Sequence, residues 1–122
     1  MKFGIDLHNT ADKKKKFFAL FSQRAITNGH EIHLITGSMR TPEIEKELKD
    51  CGIQYTHFFS VSDKLLAGGK VTHWTSPNDP WFPVNEWNAA KAAYCAVWGI
   101  DLHFDDSESY GQYFKTLYVK VV

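Results

Sequence analysis

The sequence predicts an α/β fold with a parallel sheet of about five strands between layers of helices. Short apolar runs alternate with amphipathic segments along the chain, which is typical of repeated strand, helix and strand units. Three of these apolar runs end abruptly in Asp, Thr, Gly or Ser. Because parallel strands are joined by crossover connections and end at one edge of the sheet, we expect these polar ends to meet.

Capping residues set the boundaries of the predicted helices. Thr41 followed by Pro42 is typical of a helix start, because Thr caps the first turn and Pro fits its first position. Gly29 and Gly99 follow apolar-periodic segments and predict helix ends. In chain order the predicted elements are a strand ending at Ile5, a helix over 11–28, a strand over 31–35, a helix over 42–51, a strand over 53–59, a helix over 85–98, and strands over 100–104 and 116–122. The predicted buried stripe of the helix over 85–98 consists of Trp87, Ala90, Tyr94, Val97 and Trp98.

Residues 60–83 interrupt the alternation of strands and helices. The segment contains Gly68-Gly69, which predicts a short hairpin, and then three prolines interleaved with Trp74, Trp81 and Phe82. The aromatic residues fit either a rigid lid over the carboxyl edge of the sheet or a plug in the core. We favour a lid, since so long a connection in a compact domain is usually functional. Residues 1–122 are then one domain with 60–83 as a small insertion.

Composition narrows the class of protein. Fourteen Lys and Arg balance fourteen Asp and Glu, which argues against binding nucleic acid over a broad basic surface, so any attraction for anions is local. Cys51 and Cys95 have no metal or disulfide spacing, which favours a reducing, cytoplasmic setting. No apolar run approaches the ~18 residues that span a bilayer, so we expect no membrane segment.

Chemistry-bearing residues collect at the predicted strand ends. Asp6 follows the first strand, Thr36-Gly37-Ser38 the second and Asp105-Asp106 the fourth. Lys91 lies four residues after Trp87 on the inward stripe of its helix, where a lysine either snorkels or meets a negative partner.

Two of these signals have ordinary alternatives. Residues 13–16 are four lysines that form a solvated face or draw an anion toward Asp6. The Thr36-Gly37-Ser38 trio fits either an anion site or a plain strand-to-helix loop.

The polar strand ends suit phosphoryl chemistry. Carboxylates of Asp6 and Asp105 suit a hard cation such as Mg²⁺, which keeps waters and completes its shell with substrate phosphate. Thr36 and Lys91 can then hold phosphate oxygens. This arrangement leaves Asp6 placed for attack on phosphorus.

In these motifs the chain resembles the haloacid dehalogenase-like hydrolase superfamily, whose members are mostly Mg²⁺-dependent phosphatases that act through an aspartyl-phosphate. Residues 5–10 (Ile-Asp-Leu-His-Asn-Thr) resemble the first motif of the family, and residues 34–38 (Leu-Ile-Thr-Gly-Ser) resemble the second. Lys91 is similar to the third motif, and residues 104–107 (Phe-Asp-Asp-Ser) resemble the fourth. The resemblance implies a Rossmann-like three-layer fold, here with little or no cap.

The resemblance also implies roles for individual residues. Asp6 would be the nucleophile and a metal ligand, and the backbone carbonyl of His8 a second ligand. Asp105, with Asp106 behind it, would complete the Mg²⁺ site. The phosphoryl group would be bound by Thr36, with Gly37 and Ser38 beside it, and neutralised by Lys91. The missing cap implies an open site for a phosphorylated small molecule or a phosphate at a polymer end.

The chain departs from the family at His8, where phosphatases normally carry an acid-base Asp. Imidazole titrates near neutral pH, so His8 is a plausible general acid and base. The alternative is a phosphate- or nucleotide-binding module that has lost turnover, and a third possibility is other chemistry at Asp6. The remaining histidines have no metal-ligand spacing and are predicted to be ordinary sheet or surface residues: His30, His33, His57, His73 and His103.

Overall fold

Five parallel strands form the central sheet of the computed structural model, which describes residues 1–122, and this confirms the predicted α/β class. Helices cover both faces of the sheet in a Rossmann-like arrangement. The elements in chain order are β1 (Lys2–Ile5), α1 (Lys15–Thr27), β2 (Glu31–Thr36), α2 (Pro42–Cys51), β3 (His57–Ser60), α3 (Val61–Ala67), β4 (His73–Ser76), β5 (Asp79–Trp81), α4 (Val84–Trp98), β6 (Leu102–Asp105), α5 (Glu108–Gly111) and β7 (Leu117–Lys120).

Side chains of β2 belong to two hydrophobic cores, one on each face of the sheet. Ile32 and Leu34 belong to the larger core, which α1 and α2 cover on one face. Ile35 points the other way and packs with Cys95 of α4 in a smaller core. This alternation follows from the two-residue period of a strand. Both cysteines are buried and free.

The strand order places a topological switch beside β1. The sheet runs β3-β2-β1-β6-β7, so the chain moves from β1 to β2 on one side and returns to β6 on the other. In open parallel sheets, the crevice outside the carboxyl ends of such neighbouring strands is where ligands bind. Asp6 follows β1 and Asp105 ends β6, so both lie at this crevice.

The predicted caps of α2 are confirmed. The backbone N–H of Ile44 donates to Oγ1 of Thr41 at 3.3 Å, and Pro42 occupies the first turn. Gly52 ends the helix with a left-handed φ of 71°. The ends of α2 were predicted correctly because capping depends on neighbouring residues alone.

Two predicted starts were wrong by about four residues. Helix α1 begins at Lys15 rather than at residue 11, because residues 7–11 form a separate turn in which Asn9 adopts a left-handed φ of 59°. Lysines 13–16 are all exposed, as a solvated face requires. Strand β3 begins at His57 rather than at residue 53, and the hydroxyl of Thr56 accepts the backbone N–H of Ile32 at 3.0 Å just before it.

The inserted segment differs from its prediction. Gly68 ends α3, and the hairpin lies farther on, where β4 pairs antiparallel with β5 across residues 77–78. Trp74 and Trp81 are exposed, whereas Phe82 is buried. Val97 and Trp98, predicted to face inward from α4, are 83% and 43% exposed. None of the helices combines the length and apolar character that crossing a membrane requires.

Candidate functional site

A cavity of about 720 Å³ opens at the carboxyl edge of the sheet. It brings together residues that sequence analysis selected from four separate segments. Asp105 is the exception, because it lies beneath the cavity and is fully buried. The selected residues that line the cavity are Asp6, His8, Thr36, Gly37, Ser38, Lys91 and Asp106.

The turn after β1 holds Asp6 in a fixed position. Its backbone N–H donates to the carbonyl of Phe104 on β6 at 3.0 Å, and its own carbonyl accepts the N–H of Ala11 at 3.2 Å. The hydroxyl of Thr10 donates to Asp6 Oδ2 at 3.2 Å. Leu7, Thr10 and Ala11 are all fully buried, so the turn is anchored on both sides of His8.

Lys91 is the cation of the site. Its side chain does not snorkel, since the residue is only 4% exposed. Nζ donates to Asp6 Oδ1 at 2.9 Å and to Asp105 Oδ2 at 2.8 Å. It also lies 4.9 Å from the centre of the Tyr110 ring, a cation–π contact. One lysine thereby compensates two buried carboxylates.

Asp105 is saturated with hydrogen-bond donors. Oδ2 accepts from Lys91 and from Nε2 of His103 at 3.0 Å. Oδ1 accepts the backbone N–H groups of Asp106 at 2.8 Å and Ser107 at 3.3 Å. Asp106, by contrast, is part-exposed and faces the cavity. The structure therefore reverses the expected order of the pair: Asp106 presents the accessible carboxylate, and Asp105 supports Lys91.

The pKa values of the two buried aspartates, Asp6 and Asp105, are shifted in opposite directions. Burial, together with the charge of Asp105, outweighs Lys91 and raises the pKa of Asp6 to about 6. Burial also opposes ionisation of Asp105, but the hydrogen bond from His103 and the charge of Lys91 hold its pKa well below the usual range. Lys91 is itself desolvated, yet the two carboxylates raise its pKa. Asp105 is accordingly the fixed anion, and Asp6 is the carboxylate that gains most from added positive charge.

His8 stands at the mouth of the cavity. Its imidazole is half-exposed, with Nε2 at 2.9 Å from a carboxylate oxygen of Glu47 on α2. Nδ1 lies 3.5 Å from Oγ of Ser38, the second residue of the loop after β2. The ring therefore bridges α2 and the loop after β2 at the edge of the cavity, and neither of its nitrogens is bonded to Asp6.

The loop after β2 is shaped by close packing. Oγ1 of buried Thr36 accepts the N–H of Ser38 at 3.2 Å. A Cβ on Gly37 would lie 2.8 Å from the ring of Trp87, so a larger residue does not fit here. The hydroxyl of Ser62 donates to the Gly37 carbonyl at 2.6 Å. The backbone of the loop can thus reach the cavity without a side chain in the way.

Comparisons with protein-family models, curated proteins and solved structures gave no match for this chain. The roles of the site residues therefore rest on the geometry of the site.

The carboxylates of the site could also hold a metal ion. One oxygen each from Asp6, Asp105 and Asp106 lies within 4.8 Å of the others, and an all-carboxylate set suits a hard cation.

A second group of possible ligands lies at the opposite end of β2, where no metal spacing was predicted. Ligand atoms of Glu31, His33 and His57 also lie within 4.8 Å of one another. The two imidazole rings are stacked at 4.2 Å and only 2° from parallel. Each ring turns one nitrogen toward Oε1 of Glu31, which lies 2.9 Å from His33 Nε2 and 3.6 Å from His57 Nδ1. The other nitrogen of His33 is 2.6 Å from the Tyr94 hydroxyl.

Sequence analysis missed several residues of the site. His103 was judged an ordinary sheet residue, yet the period of a strand places it on the same face of β6 as Asp105, which could have linked the two. Trp87 and Tyr110 line the cavity, and Glu47 contacts His8. These contacts carry no local signal, because they depend on the packing of three different helices.

Proposed function

We propose that this chain is a Mg²⁺-dependent phosphatase of the haloacid dehalogenase-like kind, with Asp6 as its nucleophile. The observation that best supports this is the buried bridge from Asp6 through Lys91 to Asp105 at the switch between β1 and β6. Removing these three charged groups from water costs desolvation free energy, so the bridge is not an ordinary surface ion pair. The open cavity above it suits a phosphorylated small molecule or a phosphate at a polymer end.

In the first step an oxygen of Asp6 attacks phosphorus and the bond from phosphorus to the leaving oxygen breaks. Thr10 and Lys91 hold the Asp6 carboxylate for this attack. The leaving oxygen takes a proton from the His8 imidazolium. In the second step neutral His8 removes a proton from water, which attacks phosphorus, releases phosphate and restores Asp6.

Glu47 is suited to orient His8 in both steps. Its carboxylate is bonded to Nε2, so Nδ1 is the nitrogen nearer the loop after β2, where the phosphoryl oxygens are expected. This pairing supports a working acid-base role for His8.

The donor set fits a Mg²⁺ ion held by Asp6 and Asp106, with Asp105 behind them. By the family resemblance, the His8 carbonyl would be a further ligand. Such an ion supplies positive charge beside the phosphoryl oxygens and favours the ionised form of Asp6. Thr36 and the loop through Ser38 supply hydrogen-bond donors to the same oxygens.

A second candidate is a phosphate-binding module without turnover. It is favoured by one observation: both nitrogens of His8 are turned to Glu47 and Ser38 rather than to Asp6. Such a module would bind Mg²⁺ and phosphate through the same residues but lack the proton transfer.

Phosphate release separates the two candidates. We expect release from a panel of phosphate monoesters that requires Mg²⁺, is abolished by EDTA and is lost in Asp6→Asn. His8→Ala should lower the rate about 100-fold or more if His8 is the acid and base. No release above the Asp6→Asn background across the panel, combined with restored hydrolysis in His8→Asp, would favour the binding module.

A further inference from the structure

A smaller cavity of about 290 Å³ lies beside the candidate site. Asp79, Pro80 and Trp87 line both cavities, so the two share a wall. The other residues of the small cavity are Trp81, Phe82 and Val84. Apart from the one carboxylate of Asp79, its side chains are therefore aromatic or aliphatic.

The ring of Trp81 is fixed in place although the residue is 51% exposed. Its ring stacks on His73 at 5.6 Å and 9° from parallel, across the β4–β5 hairpin. Its indole N–H donates to the hydroxyl of Thr75 at 3.3 Å. An exposed tryptophan fixed on two sides offers a flat surface at little further entropic cost.

Trp87 lies between the small cavity and the candidate site that contains Lys91. One face of its ring is stacked on Phe82 at 5.8 Å and 8° from parallel. Its edge packs against Gly37, and its indole N–H donates to the Tyr110 hydroxyl at 2.9 Å. A ligand in the small cavity would thus lie directly beside the loop expected to bind phosphate.

We propose that this small cavity, hereafter the base cavity, binds the nucleobase of a nucleoside monophosphate whose phosphate lies at Asp6, an inference that rests on the proposed function. Flat aromatic walls stack on planar bases, and the Asp79 carboxylate can accept a base N–H. A sugar would need several hydrogen-bonding partners, and this cavity offers only one such side chain. The net charge of zero argues for one phosphate rather than a long polymer.

Substitution of Trp81 tests this assignment. Trp81→Leu should lower kcat/KM for nucleoside monophosphates about 10- to 100-fold, the range expected from losing one stacked base, and Trp81→Phe should retain most of it. Hydrolysis of ribose 5-phosphate should change less than twofold in both variants. Trp74→Leu is the matched control, because Trp74 is exposed on the same hairpin but lines neither cavity.

Binding without turnover keeps this inference separate from the proposed function. Adenosine, cytidine, guanosine and uridine, which lack phosphate, should quench tryptophan fluorescence in wild type and in Trp74→Leu but bind at least about tenfold more weakly to Trp81→Leu. Phosphatase activity with equal kcat/KM for nucleotides and ribose 5-phosphate in wild type and Trp81→Leu would overturn the base cavity and leave the phosphatase standing. Trp81-dependent nucleoside binding with no hydrolysis of any ester would support the base cavity and overturn the phosphatase.

Discussion

Lys91 Nζ lies 2.9 Å from Asp6 Oδ1, although the two residues are 85 positions apart in the chain. Both residues are almost completely buried. The ammonium group also reaches Asp105, so it separates two carboxylates that would otherwise repel each other. The stability of the sheet edge and the reactivity of Asp6 therefore depend on the same side chain.

Replacing Lys91 should damage stability and activity together. Lys91→Met leaves two buried carboxylates without their cation, and we expect the free energy of unfolding at pH 7 to fall by about 3–5 kcal/mol. Urea denaturation measures this, and phosphate release should be lost in the same variant. Lys46→Met is the matched control, because Lys46 is an exposed lysine paired with Asp50, and its loss should change the free energy of unfolding far less. Equal losses in the two variants would contradict the bridging role.

Asp105 and Asp106 should separate into a structural and a metal-binding residue. Asp105→Asn places an amide among four hydrogen-bond donors, so we expect a loss of about 1–3 kcal/mol in unfolding free energy. Asp106→Asn should change stability little but raise the half-saturating Mg²⁺ concentration at least about tenfold. Denaturation and Mg²⁺ titration of activity measure the two effects. The reverse assignment of the two effects would show that Asp105 is the accessible ligand.

Metal-free protein should lose stability as Asp6 ionises. The pKa of Asp6 is raised from 3.8 to about 6, so the native protein binds more protons than the unfolded chain between about pH 4 and pH 6. Stability contributed by protonated Asp6 is therefore lost as the pH rises through that window. The unfolding free energy of wild type relative to Asp6→Asn, measured in EDTA, should fall from pH 4 to pH 6. Asp105 does not mask this, because its lowered pKa affects stability only below about pH 4.

Added Mg²⁺ provides the control for this measurement. A cation beside Asp6 favours the carboxylate, so the slope between pH 4 and pH 6 should flatten when Mg²⁺ is present. A difference curve that is flat without metal, or unaffected by Mg²⁺, would contradict the assignment of the raised pKa to Asp6.

Gly4 should not tolerate a side chain. A Cβ at this position would lie 2.5 Å from His103 Nδ1 and 2.9 Å from Ile35 Cδ1, and both of these residues are fully buried. Gly4→Ala should cost about 1–3 kcal/mol of unfolding free energy. Gly68→Ala is the control, because its Cβ would meet nothing closer than 3.6 Å and its φ of −83° suits alanine. Similar thermal denaturation midpoints for the two variants would show that β1 can shift away from β6.

Sequence patterns predicted the sheet and most of the site because those features depend on local rules. Polar residues at strand ends identified Asp6, Thr36 and Asp106, since parallel strands end at one edge. Helical spacing placed Lys91 on the inward stripe of its helix but left open whether the side chain snorkels or meets a negative partner, and the structure buries it. Its choice of partners could not be read from that spacing, because it depends on which strands become neighbours.

Other features escaped prediction for reasons of tertiary structure. Helix α1 starts later than predicted because residues 7–11 form a separate turn around the left-handed Asn9, and turn geometry of this kind is weakly encoded in single residues. The paired glycines after α3 suggested a hairpin but serve as a helix end. Val97 has an apolar side chain on the exposed side of α4, where no neighbouring element covers it. His103 is different, because its partner Asp105 lies two residues away on the same strand, and the strand period could have linked them.

Trapping the covalent intermediate tests the central claim most directly. Wild-type protein with Mg²⁺ and a phosphate monoester is quenched in acid and treated with borohydride, which reduces an aspartyl-phosphate to homoserine. Peptide mass spectrometry should then find homoserine at position 6 and at no other aspartate, and none when substrate is omitted. Phosphate release without any homoserine at position 6 would contradict the account, because it would mean that Asp6 is not the nucleophile.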